Sequence, residues 1–588
     1  MYLLGISCYY HDSACVLLKD GQLIAAAEEE RFSRKKHDFG FPHLALKFCL
    51  KEAQISGQDL DYVVFYEKPF LKFERIIMSF LQTYPESLKF FREAMISWTS
   101  QKFWIKDTIC SELGISPHKI FFTEHHISHA ASSFLSSPFE EAAILTVDGV
   151  GEFATQTLGV GRGNKIDIIS EQKFPHSVGL LYSAFTAFLG FEVNEGEYKV
   201  MGMAPYGEPK YLDKIYKTLR HNNDGSLYLD MSYFSHHYHT ERTYTPKLEE
   251  LFGPSRDPKT RFVTSNTSLY DNKIIPTEEE INRNQYYADI AASIQRVTEE
   301  LLVSMAKYLY SVTKLKKICI AGGVGLNCVA NYKILKETSF DELYLQPACG
   351  DSGGALGAAL YFYYTVLNNR RNFILSHAYW GKAYTQENIG EFLKKNNIKY
   401  ETLENEDKLL VRVVEYLIQG KVIGWFQGKF EWGPRALGNR SIIADPRRLE
   451  MKDILNIKIK FREPYMPFAP SILSENVSEY FEIQEPDKCY PLRFMLLAMP
   501  VRKNKRDSAP ATTHFDGTSR IQAVHKDANP LYYALIKKFN GATGIPLILN
   551  TSFNLRGEPI VNTPENAFKT FRNSGMDVLV LGNNIVLK

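Results

Sequence analysis

His125 and His129 stand four residues apart in Glu124-His125-His126-Ile127-Ser128-His129-Ala130. On a helix that spacing points two imidazoles from one face, so both can bind a single cation while carboxylates elsewhere complete its shell. Two acids sit where such help is expected: Asp148, in a small-residue turn after an apolar strand, and Asp351, in the glycine-rich turn Gly350-Asp351-Ser352-Gly353-Gly354. Two imidazoles with two carboxylates suit iron, manganese or zinc better than calcium. Glycine at a strand-to-helix turn also lets backbone N–H groups close on phosphate, and the helix N-terminus adds positive potential. Gly323 and Gly353 fit that use, whereas Gly357 reads as tight helix–sheet packing. A metal beside a phosphate is the chemistry proposed, and hence a nucleotide-using metalloenzyme.

The later part of the chain carries cations. Lys429, Arg435, Arg440, Lys458, Lys460, Arg462 and Arg520 sit beside turn formers and apolar strands, not in one solvated run. Arginine forks match phosphate and carboxylate oxygens in pairs, and lysine supplies a compact point charge. Asn550-Thr551-Ser552-Phe553-Asn554 adds amides and hydroxyls directly after an expected buried strand at 545–549, at a strand end of the kind where α/β sites gather.

The elements that must position these groups repeat. Strands are expected at 2–7, 14–19 and 23–28, and again at 142–148, 155–161 and 166–172, so a three-strand meander with an acidic turn occurs twice. Between the copies the stretch to about residue 114 reads as mostly helical, and a strand at 120–123 delivers the histidine helix. A helix at 286–311 and two strand–turn–helix units follow, and a duplicated fold with a central cleft is the simplest account. Residues 206–285 are polar, aromatic and irregular, and are expected to be an insertion that covers the cleft or forms a contact. A polar joint at 368–377 separates this first domain, 1–367, from a second α/β domain at 378–588.

At 588 residues the chain exceeds one hydrophobic core and implies at least two compact units, or three at the usual domain size. With 45% hydrophobic and 23% charged residues it excludes extensive disorder. A formal charge of +2, from 69 basic and 67 acidic residues, gives no reason to expect nucleic acid or an anionic membrane as partner. Eight scattered cysteines without Cys-x-x-Cys read as reduced, hence cytoplasmic. The start lacks the basic lead-in of a signal peptide, and no apolar stretch is long enough to span a bilayer.

Longer motifs narrow the reading. Gly5-Ile6-Ser7 with His11-Asp12-Ser13-Ala14, Glu28-Glu29-Glu30-Arg31-Phe32 with Lys35-Lys36-His37, the histidine segment, Asp148-Gly149, Lys199 to Gly207, Gly322-Gly323-Val324 with Asn327, and Asp351-Ser352-Gly353 resemble the NodU/CmcH family of O-carbamoyltransferases. So do Glu431 to Ser441, Pro467-Phe468-Ala469-Pro470-Ser471 and Asn550 to Asn554, and the similarity covers essentially the whole chain. The resemblance implies a duplicated actin-like ATPase (ASKHA) domain followed by a Sua/YrdC-like α/β domain. It implies that carbamoyl phosphate and ATP give carbamoyl-adenylate and pyrophosphate in the second domain. The adenylate then moves internally to the first, where a hydroxyl of a small-molecule or sugar acceptor takes the carbamoyl group.

Carried over by motif, His125, His129, Asp148 and Asp351 resemble the ligands of Fe2+, or of Zn2+ or Mn2+ in its place. Lys36, Gly149, Val150, Gly323, Val324, Asn327 and Gly353 resemble nucleotide contacts of the first domain, with Mg2+ accompanying ATP. Arg435, Lys460, Arg462, Arg520 and Ser552 resemble the residues that hold carbamoyl phosphate and the adenylate's phosphate, Arg435 and Lys460 acting in catalysis. Many relatives carry arginine directly before Pro-Phe-Ala-Pro-Ser, where this chain has Met466, and nearby Arg462 is the candidate to compensate. Joining two anionic substrates needs positive groups that offset their repulsion. Transfer needs a base for the acceptor's proton, and His11 and Asp12 are the candidates.

Competing readings fare worse. A hydrogenase maturation factor would bring Cys-x-x-Cys zinc elements and an acylphosphatase module, absent from this sequence. An enzyme like the tRNA threonylcarbamoyl transferase would display a broad basic RNA surface. A nucleotide-gated binding or assembly protein built on the actin-like cleft leaves the second domain's cations without work. A homodimer is one assembly the chain allows.

Overall fold

The computed structural model describes residues 1–267 and 275–588, and the part of the expected insertion at 268–274 lies outside them. Two compact units emerge. The first comprises Met1–Ala26, Phe39–Thr264 and Pro276–Ile374, and the second comprises Ala27–Asp38, the described residues of 265–275 and Leu375–Lys588.

The first unit holds two five-stranded sheets of one design. Strands β1 (Tyr2–Ser7), β2 (Ala14–Lys19), β3 (Gln22–Glu28), β4 (Tyr62–Phe65) and β5 (Ile120–Phe122) are ordered β3-β2-β1-β4-β5. Strands β6 (Glu141–Val147), β7 (Ala154–Arg162) and β8 (Lys165–Lys173), with β11 (Lys317–Ala321) and β12 (Glu342–Tyr344), are ordered β12-β11-β6-β7-β8. In each, the first strand of a meander is central and pairs antiparallel with the second. It pairs parallel with a later strand, Gly5 facing Val64 in one sheet and Leu145 facing Ile320 in the other. This twofold arrangement is the duplicated fold expected from the sequence. Strand β4 was not expected: Tyr62–Phe65 is four residues long, too short for a periodicity to stand out, yet it bridges β1 and β5.

Two helices of the first unit approach backbone to backbone at one glycine. A Cβ on Gly357, in the helix Asp351–Leu360, would lie 1.7 Å from the carbonyl oxygen of Ser128, in the helix His125–Phe134. Gly357 is thus a packing glycine as expected, but its partner is a helix and not the sheet. Gly353 obeys the same rule, since its Cβ would lie 2.1 Å from Gln346 Nε2 and 2.2 Å from the Ala348 carbonyl oxygen. Close packing, not approach to phosphate, accounts for that glycine.

The segment expected to be an irregular insertion is built. The hairpin β9 (Leu219–His221) and β10 (Leu227–Leu229) and the helices Leu212–Tyr216 and Pro246–Phe252 precede a helix that starts at Glu278, not 286, and runs to Thr313. Acids Glu278, Glu279 and Glu280 suit the positive end of that helix. Tyr216 donates to Glu300 at 2.6 Å and Lys210 pairs with Asp289 at 3.0 Å, so the insertion seats on the helix. The expected joint is also tied down: Arg371 donates to the carbonyls of Phe134, Ser137, Phe139 and Gly163.

The second unit is an eight-stranded mixed sheet covered on both faces. Its strands β13 (Glu401–Thr402), β14 (Ile423–Phe426), β15 (Arg440–Ala444), β16 (Ala469–Leu473), β19 (Gln522–Val524), β20 (Leu547–Ser552), β21 (Val578–Leu581) and β22 (Asn584–Leu587) run β13-β22-β21-β14-β15-β20-β16-β19. A ribbon of β17 (Ala498–Pro500) and β18 (Thr518–Arg520) lies apart from it. Alternate residues enter opposite cores: Leu579 and Leu581 join Leu393, Leu455 and Phe571, while Val578 and Val580 join Val413, Leu417 and Phe539. Residues 27–38, expected in the first domain, belong here. Gly433 N–H donates to Glu28 at 2.7 Å, Arg31 donates to the Gly433 carbonyl at 2.6 Å, and Arg34 donates to the carbonyls of Pro559 and Ile560. All eight cysteines are free, and among the described residues no helix is long and apolar enough to cross a membrane.

Candidate functional site

The first unit gathers its polar groups at the ends of β6 and β12. His125 is the first residue of its helix, and its N–H donates to both oxygens of Glu152 at 3.0 and 3.1 Å, which places a carboxylate at the positive end. One turn on, His129 brings its Nε2 to 3.0 Å from that of His125. Asp148 Oδ2 lies 2.9 Å from the first Nε2 and 3.4 Å from the second, and Asp351 Oδ1 lies 3.7 and 3.6 Å from them. All four side chains are buried. Donors bound at about 2.1 Å to one cation stand roughly 3.0–3.5 Å from each other, so the spacing fits a single ion. The donor chemistry agrees, because two facing Nε2 atoms can share only one proton, whereas a cation takes both lone pairs. The four expected metal ligands therefore come together.

Electrostatics within the cluster are strong. Burial opposes charge on His129, but hydrogen bonds to Asp148 and Asp351 outweigh it and raise the imidazole to about 9. Burial likewise works against the Asp148 carboxylate, and the two histidines overcome it and hold it well below the usual range. His126 turns away to Thr146 Oγ1 at 2.7 Å, and burial followed by the charges of His125 and His129 keeps it neutral.

Gly323 and Gly149 flank the cluster. Gly323 N–H donates to Asp148 Oδ1 at 3.0 Å, and a Cβ there would sit 2.9 Å from that oxygen. Ser177 Oγ donates to the carbonyls of Asp148 and Gly149 and caps the helix Val178–Phe188, so a helix N-terminus faces the turn that contains Val150. Val324 lies in the tight turn Gly323–Leu326. Asn327 is otherwise engaged: it caps the helix Cys328–Glu337 and exchanges hydrogen bonds with Gln295 at 3.1 Å. Capping, not nucleotide contact, explains it.

His11 requires a correction. Its Nδ1 lies 2.8 Å from Asp12 and its Nε2 lies 2.7 Å from the Asn194 carbonyl, so both ring nitrogens face acceptors and both carry protons. Burial is the largest single effect and pulls its pKa down, but the bond to Asp12 and its charge, with the Asn194 carbonyl and Asp351, together outweigh it and set it at about 10. An imidazolium cannot accept a proton, which leaves Asp12 alone as the candidate base.

In the second unit the counterpart is Lys460, at the end of the π-helix Ile454–Lys460. Its Nζ donates to the Ser552 carbonyl and to Ser552 Oγ at 3.1 Å, Asn554 carbonyl at 3.0 Å and Asn554 Oδ1 at 2.7 Å. Burial, then the charge of Arg462, depress its pKa well below the lysine range; the Glu558 carboxylate opposes them and Lys36 adds to them. Lys36 thus falls beside Lys460 and not in the first unit with Gly149, where it was expected. Ser441 faces Ser552, Ala469 faces Asn550, and Ser471 faces Gln522, so Ser552 and the half-buried Arg520 share one end of the sheet with the loop that carries Arg435. That loop is shaped by Glu431, whose Oε1 accepts from the N–H groups of Leu437, Asn439 and Arg440 at 2.8, 2.8 and 3.1 Å.

Other cations of the set are structural or exposed. Arg440 is fully buried, donates to the carbonyls of Gln427, Lys382, Gly428 and Asn439, and stacks on Phe426 at 3.7 Å. Lys458 is exposed. Arg462 bonds Asn456 at 2.7 Å and lies over Phe468 at 4.7 Å, next to the buried Met466. Asn554 entered the sequence reading only as part of its motif, and the roles of Glu152 and Glu431 were missed; Glu152 is visible as a second acid in the Asp148 turn.

Comparison with known proteins decides the kinship. Residues 2–360 match the family model "Carbamoyltransferase N-terminus" and 414–588 match "Carbamoyltransferase C-terminus". The chain belongs to the carbamoyltransferase family. This carbamoyltransferase is 44% identical to the uncharacterized protein sll1178 of Synechocystis, over 100% of this chain and 97% of that one. It is 36% identical to the nodulation protein NolNO of Sinorhizobium fredii, over 99% of this chain and 79% of that one. It is 30% identical to the 3'-hydroxymethylcephem-O-carbamoyltransferase of Amycolatopsis lactamdurans, over 50% of this chain and 53% of that one. The carbamoyltransferase is accordingly a transferase enzyme.

Proposed function

We propose that this carbamoyltransferase works in two stages, one in each unit. In the second, water takes the phosphoryl group of carbamoyl phosphate, phosphate leaves, and the carbamate oxygen so freed attacks the α-phosphate of ATP to give carbamoyl-adenylate with release of pyrophosphate. In the first, a hydroxyl of a small-molecule or sugar acceptor attacks the carbamoyl carbon, AMP leaves, and the hydroxyl proton passes to Asp12. The reading is supported by one observation above all: the units carry buried polar sites of opposite sign, a converging donor cluster in one and a buried ammonium in the other.

Opposite signs suit the two stages. Lys460, Arg435 and Arg520 offset the repulsion between carbamoyl phosphate and ATP, and adenylation turns the carbamoyl group into one with a better leaving group. His125, His129, Asp148 and Asp351 would hold Fe2+, or Zn2+ or Mn2+, which when bound supplies Lewis-acid charge against the adenylate phosphate. Gly323 orients Asp148, and the helix end at Ser177 favours an anion near Gly149 and Val150. Residues Ala27–Asp38 are placed in this scheme as part of the adenylate-forming domain, with Lys36 a phosphate contact there. The test is incubation with carbamoyl phosphate and Mg-ATP under reducing, metal-replete conditions. Pyrophosphate and carbamoyl-adenylate are expected, and the absence of both would refute the scheme.

A further inference from the structure

Between β4 and β5 the first unit inserts the helices Pro69–Thr83 and Leu88–Ser100, and the inner face of this segment carries more positive charge than it neutralises. Lys72 is compensated: its Nζ lies 2.6 Å from Glu67 Oε2, both side chains being buried, and 4.4 Å from the centre of the Tyr10 ring. Glu152, another nearby carboxylate, is already committed to the N–H groups of Lys68 and His125. Two cations are left over. Arg75 makes no hydrogen bond or ion pair among the described residues; its Nη1 is buried without a partner, and its guanidinium lies over Phe174 at 4.9 Å. Lys102 meets the Trp98 ring at 5.5 Å and no carboxylate among the described residues. Burial and the charge of Lys72 push that ammonium down to about 8. Glu67 and Glu152 act on Arg75, and Glu67 on Lys102, only through space and while bonded to other groups, so positive charge remains here for an anion that arrives from outside.

Its position ties it to the metal donors. A Cβ on Gly149 would lie 3.6 Å from Tyr10 Oη. Burial and then the carboxylates of Asp148 and Asp351 raise the Tyr10 phenol, while Arg75 lowers it. Tyr10 is thus next to the Asp148 turn and within the field of Arg75.

We propose that Arg75, assisted by Lys102, forms an oxyanion subsite that takes the carboxylate or phosphate of the acceptor, which is then an acidic hydroxyl compound such as a sugar acid or sugar phosphate. The proposal rests on the transfer scheme above. The adenylate's phosphate offers the same chemistry, but the subsite's cations come from the β4–β5 segment, not from the turns at Gly149 and Gly323.

D-glucuronate and D-glucose are titrated into the whole protein without ATP, with tryptophan fluorescence as readout and Trp98→Phe to assign the signal. A saturable change with glucuronate, absent with glucose and weakened at least tenfold in Arg75→Gln but only a few-fold in Arg75→Lys, supports the subsite. Equal responses to both sugars, or no loss in Arg75→Gln, overturn it. In turnover with carbamoyl phosphate and ATP, Arg75→Gln is expected to keep pyrophosphate formation and acceptor-free AMP release while its preference for glucuronate over glucose falls at least tenfold. Loss of acceptor-free AMP release would assign the anion to the adenylate and overturn the acceptor reading. Glucuronate binding in a protein that forms no pyrophosphate would sink the two-stage scheme and leave the subsite supported.

Discussion

The His125 cluster and the Lys460 site bury polar groups to opposite ends. In the first, two imidazoles and two carboxylates compensate each other's charge and still leave lone pairs converging on one point. In the second, a single ammonium is wrapped by neutral oxygens from Ser552 and Asn554, with Arg462 and Lys36 adding charge of the same sign and Glu558 offsetting part of it. The first arrangement offers lone pairs to a cation, and the second offers positive charge to an anion. Burial alone predicts neither; the sign of what each accepts comes from counting partners around each buried group.

The sharpest way to break this contrast is to remove one residue from each side. Lys460→Ala should lower pyrophosphate formation by about 10²–10³, the usual cost of deleting a preorganised charge-stabilising group. His125→Ala should leave that step intact while protein-bound metal and carbamoyl transfer disappear. Pyrophosphate assays with metal analysis check both, and equal failure of the two variants at the first step would erase the division.

A smaller effect is expected at Gly323. Gly323→Ala pushes a methyl against Asp148 Oδ1, and loss of such a supporting hydrogen bond weakens metal affinity by roughly 10–100-fold. Chelator competition measures it, and unchanged affinity would show that Asp148 needs no such support.

The smallest is a pH trend. His129 is raised to about 9 in the metal-free cluster, above the roughly 6.5 of a free imidazole. Its contribution is fully present below that lower value and is lost as pH rises through about 9. Metal-stripped protein should therefore melt on the order of 2 °C lower at pH 9.5 than at pH 6.5. Loaded protein should lack the trend, since the ligating imidazole has no proton to lose. A flat melting curve for the stripped form would show that His129 is not charged there.

Much of the donor cluster was legible because its logic is local. An i, i+4 histidine pair and an acid after each of two apolar strands need no knowledge of distant packing. The twofold repeat was legible for the same reason, in meanders of alternating residues. What escaped depends on tertiary neighbours. Tyr62–Phe65 has too few residues to announce a strand. Gly353 looks like any phosphate-turn glycine until Gln346 and Ala348 are seen against it. Nothing in Arg440 itself tells that its fork is consumed by backbone carbonyls, and nothing in residues 27–38 tells that they fold with a unit whose main body begins at Leu375.

The contact of Gly357 with Ser128 has a consequence for ion choice. His125 and Asp351 each begin one of the two helices that meet there. Their spines already touch, so the jaws of this clamp are set before any ion enters. A bulkier ion could be seated only by prising two rods apart against close-packed surroundings. Selection by radius thus belongs to the scaffold, and swapping one ligand for another would retune chemistry without widening the gap.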